Sequence, residues 1–148
     1  MLFTLKPTIL LALALTAIAS PIANPNPNPE TNLVARAAVK AVDCNGVKFT
    51  TTDINNALKE AKVVQTAKDD GKKGYGKYPE YYGNAEKLFT STSNLYEYPL
   101  VDGTYSGTTS AGEPGKYRVI MNEKYKYMGS VYHPAGTGNT FKLCTNTE

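Results

Sequence analysis

Two cysteines, Cys44 and Cys144, stand close to the two ends of the part of this chain that can build a core, and they are the only two it has. Whether they pair depends on the compartment, because disulfides persist outside the reducing cytosol. The N-terminus speaks to that. Met1 to Lys6 is a short basic segment, and Pro7 to Ser20 is an apolar run ending in the small-residue pattern Ala17-Ile18-Ala19. This is the layout of a secretory signal peptide over residues 1–19. The run is shorter than the ~18 apolar residues expected of a membrane span, and no second one follows it. The released protein is therefore expected to be secreted, extracellular and free of the membrane. In that setting Cys44 and Cys144 are expected to form a disulfide; two free thiols would suit a cytosolic chain. The bond closes a loop of about 100 residues, for which the chain-entropy account gives roughly 4.7 kcal/mol, acting through the unfolded state.

Residues 20–36 alternate proline with asparagine (PIANPNPNPE), which removes amide donors and favours extended, solvated backbone. They read as a pro-segment. Arg36 offers a basic cleavage point before Ala37, although an unstructured leader would look the same. Residues 37–148 remain as one small domain, of a size that buries about two thirds of its unfolded surface. The whole chain carries 16 Lys+Arg against 13 Asp+Glu and a pI near 8.7. That balance suits an anionic partner without the dense basic tracts of a chromatin protein. One histidine and two cysteines are too few for a closed zinc site or an iron–sulfur cluster, so neither a metal nor an organic cofactor is expected.

Ile54, Ala57, Leu58, Ala61 and Val64 recur at helical spacing, and Thr50 with Asp53 three residues on resembles a capping box. The glycine- and lysine-rich stretch from Lys68 to Lys77 reads as an exposed loop. Downstream, Leu95 to Leu100, Tyr117 to Asn122, Met128 to His133 and Thr140 to Cys144 are short runs rich in Tyr, Val, Ile and Phe, separated by turn residues. The pattern predicts an α+β domain with one N-terminal amphipathic helix packed on an antiparallel sheet.

Three ionisable residues sit inside those strand-like runs, where a solvated charge is out of place: Glu97, Arg118 and His133. A sheet face carrying them would hold a base, an anion clamp and an acid, the minimum set for in-line phosphoryl transfer within an RNA strand. Each also has a plainer reading. Glu97 and Arg118 could form a cross-strand ion pair, and His133 could be a structural imidazole.

The surrounding segments carry more. Tyr78-Pro79 is followed by Tyr82, Asn84 and Glu86, then by Tyr96-Glu97-Tyr98-Pro99-Leu100, by Pro114-Gly115-Lys116-Tyr117-Arg118-Val119-Ile120, and by His133 with Gly138-Asn139-Thr140-Phe141. In order and spacing they resemble the secreted guanyl-specific ribonucleases of fungi, the ribonuclease T-one family, over nearly all of Cys44 to Cys144. The resemblance implies the microbial ribonuclease fold. It implies Glu97 as general base, His133 as general acid, Arg118 and Tyr78 as phosphate ligands, and Phe141 packed beside the reacting phosphate. It also implies a guanine-binding loop from Tyr82 through Asn84 to Glu86, with Glu86 accepting the guanine N1 and N2 hydrogens, Tyr82 stacked under the base, and backbone near Asn139 closing the pocket. Tyr82 could equally be a packing aromatic.

Two positions depart from the family pattern. Glu80 stands where the family usually has a histidine, placing an anion beside the phosphate and next to Glu97. Ala85 stands where an aromatic usually covers the base, which removes ~1–3 kcal/mol of stacking. Two functions follow as expectations. The first is a monomeric secreted endoribonuclease that cleaves single-stranded RNA after guanosine, leaving a 2′,3′-cyclic phosphate without metal. The second is a ribonuclease-like effector or RNA-binding protein with weak or no catalysis.

Overall fold

The computed structural model describes residues 38–135 and 138–147. The signal peptide and the pro-segment expected over 1–36 lie outside the described residues. The first element is a hairpin, not the helix: β1 (Val42–Cys44) pairs antiparallel with β2 (Val47–Phe49). Asn45 and Gly46 form the turn at φ 59° and 92°, the left-handed geometry that suits a two-residue connection between twisted strands. The Asp43 carboxylate secures it by accepting the Gly46 N–H at 2.6 Å.

Helix α1 runs Thr51–Asp69 and starts where its cap dictates. Thr50 Oγ1 accepts the Asp53 N–H at 3.2 Å, and Asp53 Oδ2 accepts the Thr50 N–H at 2.8 Å, which satisfies two orphan donors at once. Asp53 Oδ1 also accepts the Gly103 N–H at 3.1 Å, fastening the helix start to the loop beyond the main sheet. Ile54, Ala57, Ala61 and Val64 are buried as their spacing predicts, with Leu58 half-buried beside them. Lys68 and Asp69, expected in the following loop, instead close the helix, and only the residues after them are irregular.

Five strands make the main antiparallel sheet in the order β3 (Glu80–Tyr82), β4 (Leu95–Pro99), β5 (Tyr117–Asn122), β6 (Tyr127–Tyr132) and β7 (Lys142–Leu143). The run expected to end at His133 stops one residue earlier, and that expected over Thr140 to Cys144 shrinks to two residues. A final strand, β8 (Thr145–Asn146), leaves this sheet to pair with β1. Cys144 lies between β7 and β8, and its disulfide to Cys44 therefore pins the main sheet to the N-terminal hairpin.

Alternation along β4 and β5 divides the sheet into two faces. Tyr98, Val119 and Met121 point at the helix, where they meet Ile54, Ala61 and Val64 in one buried cluster. Gly107 lies against this cluster at φ 66°, where a Cβ would fall 2.6 Å from the Tyr98 hydroxyl and 2.7 Å from Val64 Cγ2. The opposite face carries a smaller apolar cluster of Tyr82, Leu95, Ile120 and Val131. Glu97, Arg118 and His133 share that second face. The α+β architecture read from the sequence is thus the one observed.

Thr50→Ala should cost about 1 kcal/mol of stability by removing the cap acceptor. Asp53→Ala should cost more, because the Gly103 N–H loses its partner as well. Denaturant unfolding of the oxidised protein checks the order, and equal costs would show the Gly103 link to be without weight.

Candidate active site

A cleft of about 360 Å³ opens on the face away from the helix. Its floor is the strand register itself. Glu97 faces Ile120 across β4 and β5, Arg118 faces Val131 across β5 and β6, and His133 follows directly after β6. The backbone N–H of His133 donates to Lys116 O at 2.9 Å, extending the ladder by one rung and fixing where the imidazole emerges.

Arg118 is held from three sides. Its Nη1 donates to the carbonyl oxygens of Gly115 and Tyr117 at 2.8 Å each and of Pro114 at 3.2 Å, and its Nη2 donates to the Tyr78 hydroxyl at 2.9 Å. Nε lies 3.5 Å from Glu97 Oε1, an ion contact too long to be a hydrogen bond, so this buried N–H has no acceptor. Both side chains are more than nine-tenths buried. Burial pushes the Glu97 carboxyl above its ordinary value; the Arg118 guanidinium pulls it back and the Glu80 charge pushes it up again. The cross-strand pair and the shared reactive cleft are therefore the same arrangement.

His133 is turned by its Nδ1, which lies 3.2 Å from Thr140 O. With the Nδ1 hydrogen donated to that carbonyl, Nε2 is the nitrogen left to exchange a proton. The ring stacks on Phe141 with centroids 4.0 Å apart. Burial and the Arg118 charge lower its pKa, against a smaller rise from the Thr140 carbonyl and Glu86.

The loop expected to hold a base lines the other end of the cleft through Tyr82, Asn84, Ala85 and Glu86, facing Gly138 and Asn139. Asn84 clamps the loop: its Nδ2 donates to Phe89 O at 2.7 Å and its Oδ1 accepts Phe89 N–H at 3.1 Å. Its side chain is spent on shape. Phe89 in turn rests on Gly129, where a Cβ would fall 2.6 Å from the ring. Glu86 Oε1 accepts the Phe141 N–H at 2.9 Å, which ties the loop to the aromatic beneath His133. Tyr82 is almost fully buried, edge-on to Phe89 and Phe141, with its hydroxyl unpartnered and its pKa pushed to about 12, chiefly by burial. It is packing and cleft floor at once.

Glu80 faces Glu97 directly across β3 and β4, so the expected neighbouring carboxylates are present. The anion is not bare, however. Glu80 Oε2 lies 2.8 Å from Lys77 Nζ at the cleft rim. Lys77 was hidden in the sequence as the last residue of a lysine-rich loop. A further missed part is Lys68, whose Nζ donates to the carbonyl oxygens of Gly76, Lys77 and Tyr78 at 3.3 to 3.4 Å and fixes the segment that enters the site. Among the described residues no group of three His, Cys, Asp or Glu side chains could hold a metal ion.

A family model described as ribonuclease matches residues 37–145. Guanyl-specific ribonuclease F1 of Fusarium fujikuroi is 28% identical over 100% of both chains. Guanyl-specific ribonuclease T1 of Aspergillus oryzae is 32% identical over 69% of this chain and 76% of its own, and extracellular guanyl-specific ribonuclease Fl1 of Gibberella baccata is 30% identical over 73% and 99%.

Arg118 acts on both titrating groups with the same sign, lowering the pKa of Glu97 and of His133. Arg118→Gln should therefore raise both. NMR titration of the two side chains reads this, and a His133 value that stays put would remove Arg118 from the imidazole's surroundings.

Proposed function

The chain belongs to the ribonuclease family that holds the fungal guanyl-specific enzymes, and from that premise we propose that it is a secreted, monomeric endoribonuclease that cleaves single-stranded RNA after guanosine. Its substrate class is RNA. The observation that carries the finer reading is the burial of a carboxylate, a guanidinium and an imidazole in one cleft, with the guanidinium immobilised.

In this reading Glu97 removes the proton of the ribose 2′-hydroxyl, and the oxygen attacks the adjacent phosphorus. The bond to the 5′-oxygen of the next nucleotide breaks as His133 Nε2 donates its proton to that oxygen. A 2′,3′-cyclic phosphate and a free 5′-hydroxyl result, with no water consumed. Arg118 and Tyr78 hold the phosphate whose charge is redistributed during the step. Because acid and base are both side chains, the reaction asks for no metal. Glu86 supports the choice of guanine, since only one of its carboxylate oxygens is bonded among the described residues and adenine lacks the N1 and N2 hydrogens the other would accept. Ala85 leaves the upper face of the base uncovered, so affinity for the base is expected to be modest. Secretion is supported by the apolar N-terminus and by a relative named as extracellular.

Incubation of a defined RNA in EDTA should give fragments ending in guanosine cyclic phosphate. His133→Ala and Glu97→Ala should each lower the rate ~10²–10⁴-fold, the usual worth of a positioned proton-transfer group. RNA that is bound but not cut would replace the enzyme with a binding protein.

The pH profile follows from the same two groups. Glu97 must be ionised and its pKa is raised above the ordinary 4.5, so activity appears only as pH rises past a point above 4.5. His133 must be protonated and its pKa is lowered below 6.5, so activity is lost again as pH rises through a point below 6.5. A narrow bell in kcat/KM between those limits is expected. A plateau extending through pH 7 would assign the proton donor to another group.

A further inference from the structure

We propose that Lys77 is a phosphate-binding residue of this cleft, held over it by Glu80. The inference rests on the ribonuclease reading above and adds a residue to it.

The cleft has an electrostatic problem that Arg118 does not solve. Three carboxylates line it, Glu80, Glu86 and Glu97, against one buried guanidinium. Most of that guanidinium is already committed: Nη1 is shared among three carbonyls, one Nη2 hydrogen goes to Tyr78 and Nε faces Glu97, which leaves Arg118 a single Nη2 hydrogen for a phosphate. An RNA phosphate approaching this face would meet a surplus of negative charge. Lys77 is the other Lys or Arg among the described lining residues, and its side chain is 63% exposed, far more open to a ligand than the buried Arg118.

Its position is also specified rather than accidental. Lys68 fixes the carbonyls on either side of it, and Glu80 holds the ammonium at 2.8 Å. Lys77 Nζ and the Arg118 guanidinium carbon lie 4.9 and 5.1 Å from the centre of the same Tyr78 ring, so one ring contacts both cations. The charge reaches the reacting groups as well. Lys77 lowers the pKa of both Glu97 and His133, while its own is raised, first through the hydrogen bond to Glu80.

A phosphate oxygen entering the cleft would accept from the Lys77 ammonium, which has three donors and gives only one to Glu80. Glu80 is then a positioning residue. It keeps a flexible four-carbon side chain over the cleft instead of letting it spread into water, which lowers the entropy lost when the phosphate arrives.

The test is calorimetric titration of the full domain with guanosine 3′-monophosphate and with guanosine, which share the base and differ in the phosphate. Lys77→Met should weaken the nucleotide by about tenfold, the worth of one hydrogen bond to a charged group, and leave guanosine unchanged. Lys77→Arg should retain most of the affinity. In a Glu80→Gln background the loss from Lys77→Met should shrink to about threefold or less, because the ammonium is no longer held. Inorganic phosphate, followed through the His133 signals by NMR, reads the same contact without a base. Equal nucleotide affinity in the parent and Lys77→Met would overturn the role of Lys77, as would an equal loss of guanosine. An undiminished loss in the Glu80→Gln background would overturn the role of Glu80. A parent protein that binds phosphate through Lys77 yet leaves RNA intact would sink the nuclease reading and leave this one standing.

Discussion

A guanidinium removed from water must find acceptors for its N–H groups, and most of the working face is arranged around how Arg118 does so. The backbone of Pro114-Gly115 and of Tyr117 at the start of β5 presents its carbonyls to Nη1, and Tyr78 is drawn from forty residues away to receive Nη2. The remaining Nε is left beside Glu97 without a hydrogen bond. A buried ion pair of this kind adds little stability, since desolvation consumes most of the Coulombic gain. Its worth is positional. Removing either partner would strand the other buried charge, so the carboxylate and the guanidinium hold each other diagonally across adjacent strands. Stability is supplied from elsewhere, by the helix-facing cluster and by the disulfide that joins the ends of the domain.

The division of the sheet into a packing face and a chemical face was largely legible in the sequence. Strand periodicity puts Tyr98, Val119 and Met121 on one side and Glu97, Arg118 and His133 on the other, and a charge inside an apolar run is conspicuous. The helix was equally plain, because five apolar residues at its period and a capping pair agree with each other. What escaped was short. β1, β2 and β3 have three residues each, too few to display a period, and β8 has two. β3 consists of Glu-Tyr-Tyr, which becomes a strand only because β4 offers it a register. The Asn45-Gly46 pair is a hairpin signal, but the strands flanking it are too brief to support it by periodicity.

In the site, what the sequence does not display is a set of contacts that cross the fold, even between residues it does single out. Glu86 and Phe141 are separated by 55 positions, yet one hydrogen bond joins them. Lys77 and Glu80 are three apart on a segment that is not helical, so no periodic rule brings them together, and only the turn through Tyr78-Pro79 does. Glu80 taken alone reads as an anion intruding on an anion-binding site. Beside Lys77 it reads as half of a pair whose cation faces the cleft.

The loop from Tyr82 to Glu86 and the segment around His133 rest on the same packing. Asn84 fixes the loop to Phe89, Phe89 sits on Gly129 of β6, and Glu86 reaches across to the backbone of Phe141, whose ring supports His133. The orientation of the imidazole and the shape of the loop therefore depend on one aromatic group, Tyr82, Phe89 and Phe141, which meet edge to face. Ala85 takes no part in that group. The hydrogen bonds that hold the loop run through Asn84 and Glu86 and do not involve the side chain at 85. On the proposed reading, affinity for a base and alignment of the acid are separable, because one depends on a side chain lining the cleft and the other on side chains buried beneath it.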